Sequence, residues 1–416
     1  MMPARTLHAE TARPSPPTPP LDGDRTVSVA IVGAGFTGLS TALSLAEQGV
    51  DVAVLEAHEP GWGASGRNGG QVNPGLKQDP DRVERDLGAA AVAFSGNAPN
   101  AVFELIERHG IACEALQSGT LRAAFHRRTM SGLERSVAEW ARRCSDVDMI
   151  DRETMARLTG SERYLGGTID RRGGQLNPLA FAHGLTEAAI RAGAAVHGGT
   201  PVSRVRGDGG RWKLETRSGT VTAEKIVLAT NGYTGDLWPG VRRSIVPVFS
   251  AIVASAAVPD DVMPSRSSLY EMGDIAVYYR KNRDGRILMG GRAVQREIEH
   301  AGQLQYLIDY AMRLWPAVRG VAWPWAWSGQ LAMTQDHYPH VHQPVETVLV
   351  CLGYNGRGVA LSTAMGPELA RRIIGGQGVE MAMPVTGIRE IPFHGLWKSA
   401  VQARVAYGRI RDFLGV

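Results

Sequence analysis

The chain has 416 residues, 44% of them hydrophobic and 21% charged, enough for a sizeable core in two domains or one two-lobed domain and too apolar for a wholly disordered chain. Its 50 glycines, about 12%, exceed the roughly 7% of an ordinary soluble protein without the G-X-Y period of collagen. The net charge of +4 raises the question of nucleic acid, but arginine is interleaved with Asp and Glu, as in 79–85 and 131–143, so a solvated mixed surface and no nucleic-acid partner are expected.

Residues 1–24 lack the apolar stretch of a secretory leader, and Arg13 to Pro20 (RPSPPTPP) is proline-rich and polar, so 1–26 is expected to be a disordered or extended arm. The most apolar stretch, 27–46, is broken by Gly33, Gly35 and Gly38, so no membrane span is expected. Cys113, Cys144 and Cys351 are scattered and contain no C-x-x-C, which fits a reducing cytoplasm and gives no metal site.

Val27 to Val32 is a β-branched run that ends at Gly33-Ala-Gly35-Phe36-Thr37-Gly38. A helix-forming stretch follows, Gly49 closes it, and 51–55 forms a second strand ending at Glu56. This is the start of a dinucleotide-binding βαβ unit. Gly33 permits the turn, Gly35 lets backbone approach a pyrophosphate, and Gly38 lets the helix pack on the sheet with its free N–H groups facing the phosphates. Glu56, followed by Ala57, would bind a ribose diol and disfavours the 2′-phosphate of NADP. The unit alone leaves NAD and FAD open.

Next comes Gly61-Trp-Gly-Ala64-Ser65-Gly-Arg67-Asn68-Gly69-Gly70-Gln71, where an NAD domain would continue into an amphipathic helix. Ser65, Arg67, Asn68 and the exposed amides supply donors for a pyrophosphate and a flavin edge. Further on, the pattern predicts a helix over 178–192, a strand over 194–198, a hairpin over 204–219 and a strand over 225–230. The last elements expected are a strand over 347–351, a second glycine turn at 353–358 and a helix over 359–374. Two excursions interrupt these: 92–144, with amphipathic helices, and 241–333, with strands over 245–254, 275–280 and 286–289.

GAGFTG (33–38), GASGRNGGQ (63–71), GGQLNPL (173–179), VLATNGY (227–233), YYR (278–280), GYNGRGV (353–359) and RDFLGV (411–416), in this order, resemble the FAD-dependent amine and amino-acid oxidases of the D-amino-acid oxidase/glycine oxidase superfamily. Within it, the chain is most similar to the bacterial gamma-glutamylputrescine oxidase branch, over about 27–416. The resemblance implies an α/β, two-lobed fold. A Rossmann-like FAD-binding domain of the glutathione-reductase/glycine-oxidase type would take 27–91, 145–240 and 334–384. An antiparallel-β substrate domain would take 92–144 and 241–333, and a helical tail 385–416. It also implies noncovalent FAD held by the residues of the first turn and loop, by the Val202 backbone, by Thr230, Asn231 and Gly232, and by Gly353, Tyr354, Asn355, Gly356, Arg357, Gly358 and Val359.

The implied reaction passes hydride from an amine carbon to flavin N5. The imine then hydrolyses to an aldehyde or ketone, and dioxygen is reduced to hydrogen peroxide. Only the neutral amine reacts, yet an alkylamine has a pKa of ~10, so the pocket must desolvate it. Trp315, Trp323, Trp325 and Trp327 serve either core packing or an aromatic wall over the flavin, and Tyr278, Tyr279 and Trp327 are favoured for the wall. Arg67, Lys281 or His337 would supply positive charge for dioxygen. The relatives' carboxylate-clamping arginine falls at Leu331, between Gln330 and Ala332, which disfavours an α-amino acid and favours a free or gamma-glutamylated polyamine or other ω-amine. Arg357 stands where the nearest relatives carry histidine. The alternatives are a flavin dehydrogenase or N-demethylase with a non-oxygen acceptor, and a flavin-fold RNA-modifying protein.

Overall fold

The computed structural model describes residues 6–272, 277–292, 297–403 and 407. Positions 1–5 of the arm, 275–276 of the strand expected over 275–280, and 404–406 and 408–416 of the tail, including RDFLGV, lie outside them.

The strand Arg25–Val32 is buried at nearly every position after Thr26, which places it mid-sheet. It pairs in parallel with Val52–Leu55 on one side and Thr220–Leu228 on the other. Ala195–His197 extends the parallel sheet beyond the second strand, and Val348–Leu352 extends it beyond Thr220–Leu228. The hairpin Arg204–Asp208/Arg211–Glu215 adds antiparallel strands to the first part of Thr220–Leu228. Helices Phe36–Ala46, Pro178–Arg191 and Gly358–Gly375 bury apolar faces in one cluster against this sheet.

A second sheet has eight strands, in the order Trp325–Met333, Val246–Ala257, Arg286–Arg292, Tyr278–Lys281, Ser268–Glu271, Thr120–Ala124, Gly166–Asp170 and Val147–Ile150. Every pairing is antiparallel except that of Ser268–Glu271 with Thr120–Ala123. Its core gathers around Tyr279, Trp315 and Leu307. No helix of the described residues is long and apolar enough to cross a membrane.

Three boundaries differ from the sequence expectation. The helix Ala89–His109 opens the first excursion, but its buried Ala91, Val92, Ala98, Val102 and Leu105 belong to the core of the nucleotide lobe. Conversely, Val147–Ile150 and Gly166–Asp170, assigned above to that lobe, are strands of the second sheet. The third is the arm. Residues 13–20 are extended, with Arg13 O and Pro19 O accepting from His183 and His197, as their prolines predict. Ahead of them Leu7–Thr11 is an ordered helix whose Leu7 and His8 are 1% and 2% exposed. Thr6 caps it by accepting from Ala9 N, and Leu7 packs among Ile252, Leu288 and Trp327. An apolar anchor, a cap and the contacts of His8 with Asn68 and of Thr11 with Asn177 hold a segment whose composition reads as disordered.

Candidate flavin site

The first turn is fixed by sterics. Gly33 has φ +104°, and a Cβ there would lie 2.9 Å from Ala229 O. A Cβ on Gly38 would fall well inside contact with Gly33 O, and one on Gly35 would lie 2.9 Å from Ser65 Oγ. Ser65 Oγ accepts from Phe36 N at 3.0 Å, so the second loop is hung from the N-terminus of the first helix. Thr37 Oγ1 lies 2.6 Å from Tyr354 OH and ties that helix to the second glycine turn. Glu56 accepts from Ala34 N at 2.8 Å and His58 N at 2.9 Å. Burial pushes its carboxyl above the usual range, and these amides pull it back. Ala57 lies between these amide contacts. Glu56 O receives Thr200 N, which brings Val202 beside the same strand end.

In the loop 61–71, Ala64–Arg67 forms one helical turn, a detail the glycine-dense sequence does not announce. Asn68 closes it, its Nδ2 donating to Ser65 O at 2.7 Å and its Oδ1 accepting from Gly70 N at 2.8 Å. Gln71 Nε2 donates to Leu269 O and Tyr279 O and so anchors the loop to the second sheet. Asn231 Oδ1 accepts from Gly353 N at 3.0 Å, joining the turn Thr230–Gly232 to Gly353–Gly358. Asn355 Oδ1 accepts from Thr334 N at 2.9 Å. Both asparagines have left-handed φ, +42° and +53°, a conformation asparagine tolerates. Val359 begins the apolar face of the helix that follows.

Strand Tyr278–Lys281 divides the catalytic candidates by its period of two. Tyr278 packs against Gly69 and Gly290, and its hydroxyl lies 3.0 Å from Ser250 Oγ. Tyr279 points the other way, fully buried edge-on to Trp315 with its hydroxyl on Tyr164, so it is not part of a wall on the loop side. Lys281 shares that opposite face; its Nζ donates to Pro259 O at 3.0 Å and Asp260 O at 3.3 Å. Arg280, not singled out above, alternates with them onto the side of Tyr278 and donates to Gly69 O and Gln175 Oε1. Counting by two from Tyr278 would have found it.

Trp327 is fully buried and donates Nε1–H to Arg67 O at 2.8 Å, whereas Trp315 bonds Thr159 O inside the core. The Arg67 guanidinium stacks 4.4 Å over Trp62. His337, at φ +63°, sits in the turn between Thr334 and Tyr338 that adjoins Asn355. The candidates for dioxygen activation therefore fall in three separate places. Leu331 pairs with Val248, and the neighbouring Gln330 donates to Gly232 O.

A cavity opens between the loop 74–79 and the second sheet, lined by Thr120, Arg122, Trp140, Asp170, Tyr270 and Arg357. Arg357 donates to Pro74 O and to Tyr270 OH, both at 2.8 Å, and lies 4.8 Å over the Tyr270 ring. Arg122 donates to Ser136 Oγ at 2.8 Å, while its buried Nε has no partner among the described residues.

The residues fit FAD. Two glycine turns, the N-terminus of a buried helix, an acidic strand end and the loop 61–71 are tied together by hydrogen bonds, and a Cβ would crowd backbone at Gly33 and Gly38 and the Ser65 and Tyr278 side chains at Gly35 and Gly69. The fold and this site define a flavin-dependent oxidoreductase. The chain belongs to the FAD dependent oxidoreductase (DAO) family, whose model matches residues 28–372, and FAD is its cofactor. It is 30% identical over 383 residues to a probable oxidoreductase OrdL of Rhizobium meliloti (strain 1021), covering 90% of this chain and 89% of that one. It is 28% identical over 424 residues to the gamma-glutamylputrescine oxidoreductase of Escherichia coli (strain K12), covering 99% of each. Among solved structures, glycine oxidase from Geobacillus kaustophilus superposes with a TM-score of 0.75 at 23% identity, over 88% of this chain and 99% of that one.

Proposed function

We propose that the protein oxidises the C–N bond of an ω-amine, free or carried on a glutamyl-type group bearing a distal carboxylate. The observation that carries this reading is the cavity at Arg357 and Arg122. It brings two guanidinium groups toward a carboxylate, with the lining Asp170 already paired to Arg172 and the exposed Asp79 3.9 Å from Arg122, while the position expected to clamp an α-carboxylate is Leu331. The full-length similarity to a gamma-glutamylputrescine oxidoreductase supports the same substrate class.

The chemistry supplied by FAD held there would be a two-electron oxidation: a hydride leaves the amine carbon, and its two electrons and proton, with one further proton from solvent, would reduce dioxygen to hydrogen peroxide. The chain's own part is to hold the amine neutral and oriented. Tyr278, whose ring packs against Gly69, would form an apolar wall, with Trp327 buried behind the loop through its bond to Arg67 O, and desolvation there disfavours the ammonium form. Water then converts the iminium product to an aldehyde and ammonia, or a released amine. Three free cysteines fit a cytoplasmic location.

Anaerobic mixing with gamma-glutamylputrescine, putrescine, glycine, sarcosine and D-alanine, followed by absorbance, tests the reading. The first two should bleach the flavin; bleaching by the α-amino acids alone would sink it. Peroxide in aerated solution separates an oxidase from a dehydrogenase with another acceptor. Arg357→Met should raise KM for the carboxylate-bearing amine about 10- to 100-fold, the loss of one charged hydrogen bond, with KM for putrescine nearly unchanged. Equal changes for both amines would remove Arg357 from substrate recognition.

A further inference from the structure

Four consecutive carbonyls of the flavin loop are each held by a donor from a different segment. Arg67 O receives Trp327 Nε1–H, Asn68 O lies 2.9 Å from His8 Nε2, Gly69 O receives Arg280 Nε–H, and Gly70 O receives Leu176 N–H at 2.8 Å. A carbonyl can only accept, so His8 carries a proton on Nε2. In a planar trans peptide the C=O of one residue and the N–H of the next point in opposite directions. The donors on 67–70 therefore turn the N–H groups of 68–71 the other way. Asn68 N bonds Ala64 O and Gly70 N bonds Asn68 Oδ1, whereas Gln71 faces Gln175 as a non-hydrogen-bonded pair whose Gln175 N–H goes to Leu116 O. Gly69 N–H and Gln71 N–H have no partner among the described residues, and both residues remain partly accessible.

We propose that His8 is a positioning residue of the flavin site: by holding Asn68 O it fixes the 68–69 peptide so that Gly69 N–H is presented to bound FAD as a preset donor. The arm is built to deliver it. Leu7 is wedged among Ile252, Leu288 and Trp327, the His8 ring stands edge-on to Trp327 at 5.1 Å, and Thr11 Oγ1 receives Asn177 Nδ2 at 2.9 Å. The groups facing the imidazole are the Asn68 carbonyl, the Trp327 ring and, through space, the Arg280 cation. Burial, reinforced by that cation, lowers its pKa to about 3, so the donor persists across the working pH range.

The proposal rests on the FAD reading of the loop and not on the amine reading, and its test needs no turnover. Apoprotein is titrated with FAD and flavin fluorescence is followed, and the midpoint potential of the bound flavin is measured. His8→Gln carries its amide nitrogen near the position of Nε2, whereas His8→Asn is one bond too short and His8→Phe has no donor. We expect His8→Asn and His8→Phe to weaken FAD binding about tenfold, 1.4 kcal/mol, and to displace the midpoint potential, with His8→Gln restoring both. If Phe at this site fails to fold, the comparison of Gln with Asn decides alone. Wild-type values in both amide variants, or equal losses in both, would overturn the assignment.

Discussion

Gly38→Ala should abolish flavin retention. The added methyl would overlap Gly33 O, a backbone atom pinned in turn because a Cβ on Gly33 already meets Ala229 O. No side chain can swing away, so the helix Phe36–Ala46 must lift off the sheet it packs on. Overpacking in a close-packed interior typically costs 1–3 kcal/mol; at this backbone contact we expect about 3 kcal/mol or more and colourless purified protein. Gly49→Ala is the control. Gly49 also has positive φ, +75°, but open space where its Cβ would go, so about 1 kcal/mol of backbone strain and an intact flavin complement are expected. The ratio of flavin absorbance to protein, together with thermal melting, checks both. A yellow Gly38→Ala protein of wild-type stability would refute the packing account.

Glu271→Gln should flatten the dependence of stability on pH. Tyr164 and Tyr310 donate to Glu271, each at 2.6 Å, beneath the second sheet. Burial nevertheless raises the carboxyl pKa from 4.5 to about 7, with the tyrosine hydrogen bonds opposing the rise. The native state thus keeps a proton that the unfolded chain releases between these values. The resulting stabilisation is fully present below pH 4.5 and is lost as pH rises through 7. Its size is about 3 kcal/mol. Denaturant unfolding at pH 5 and pH 8 should show wild type losing about that much more than the Gln variant over this interval. Identical losses would mean that Glu271 is ionised throughout.

These two residues also mark what the sequence discloses. Gly38 was legible because a glycine needed for packing sits at a fixed offset in a strand–turn–helix pattern, and the same holds for Gly33, Gly35 and the acid at Glu56. Asn231 and Asn355 were legible only as members of resembling motifs; their left-handed backbone explains why asparagine serves there. Glu271 carries no sequence signal, because a buried carboxyl cannot be told from a solvated one until the strand's faces are known. Tyr278 and Tyr279 read as one aromatic pair in the sequence, although adjacent strand residues must face opposite ways. The arm departs from the sequence expectation only in the helix Leu7–Thr11, for a different reason. Its prolines correctly predict extension over 13–20, but Leu7 and His8 form no periodic stripe, and their burial depends on partners more than 50 residues away.

The parallel pairing of Ser268–Glu271 with Thr120–Ala123 joins residues 148 positions apart, since Ser268 faces Thr120. The second sheet therefore cannot close until the intervening chain has passed through the nucleotide lobe, to which it contributes Pro178–Arg191, Ala195–His197, the hairpin Arg204–Asp208/Arg211–Glu215 and Thr220–Leu228. Loop-closure entropy must be overcome before that contact contributes, so refolding should be slow and dominated by late, long-range events. Neither lobe is a continuous length of chain, and cutting at any point between Thr120 and Glu271 would sever both, which makes this an enzyme to be re-engineered by substitution and not by splicing domains.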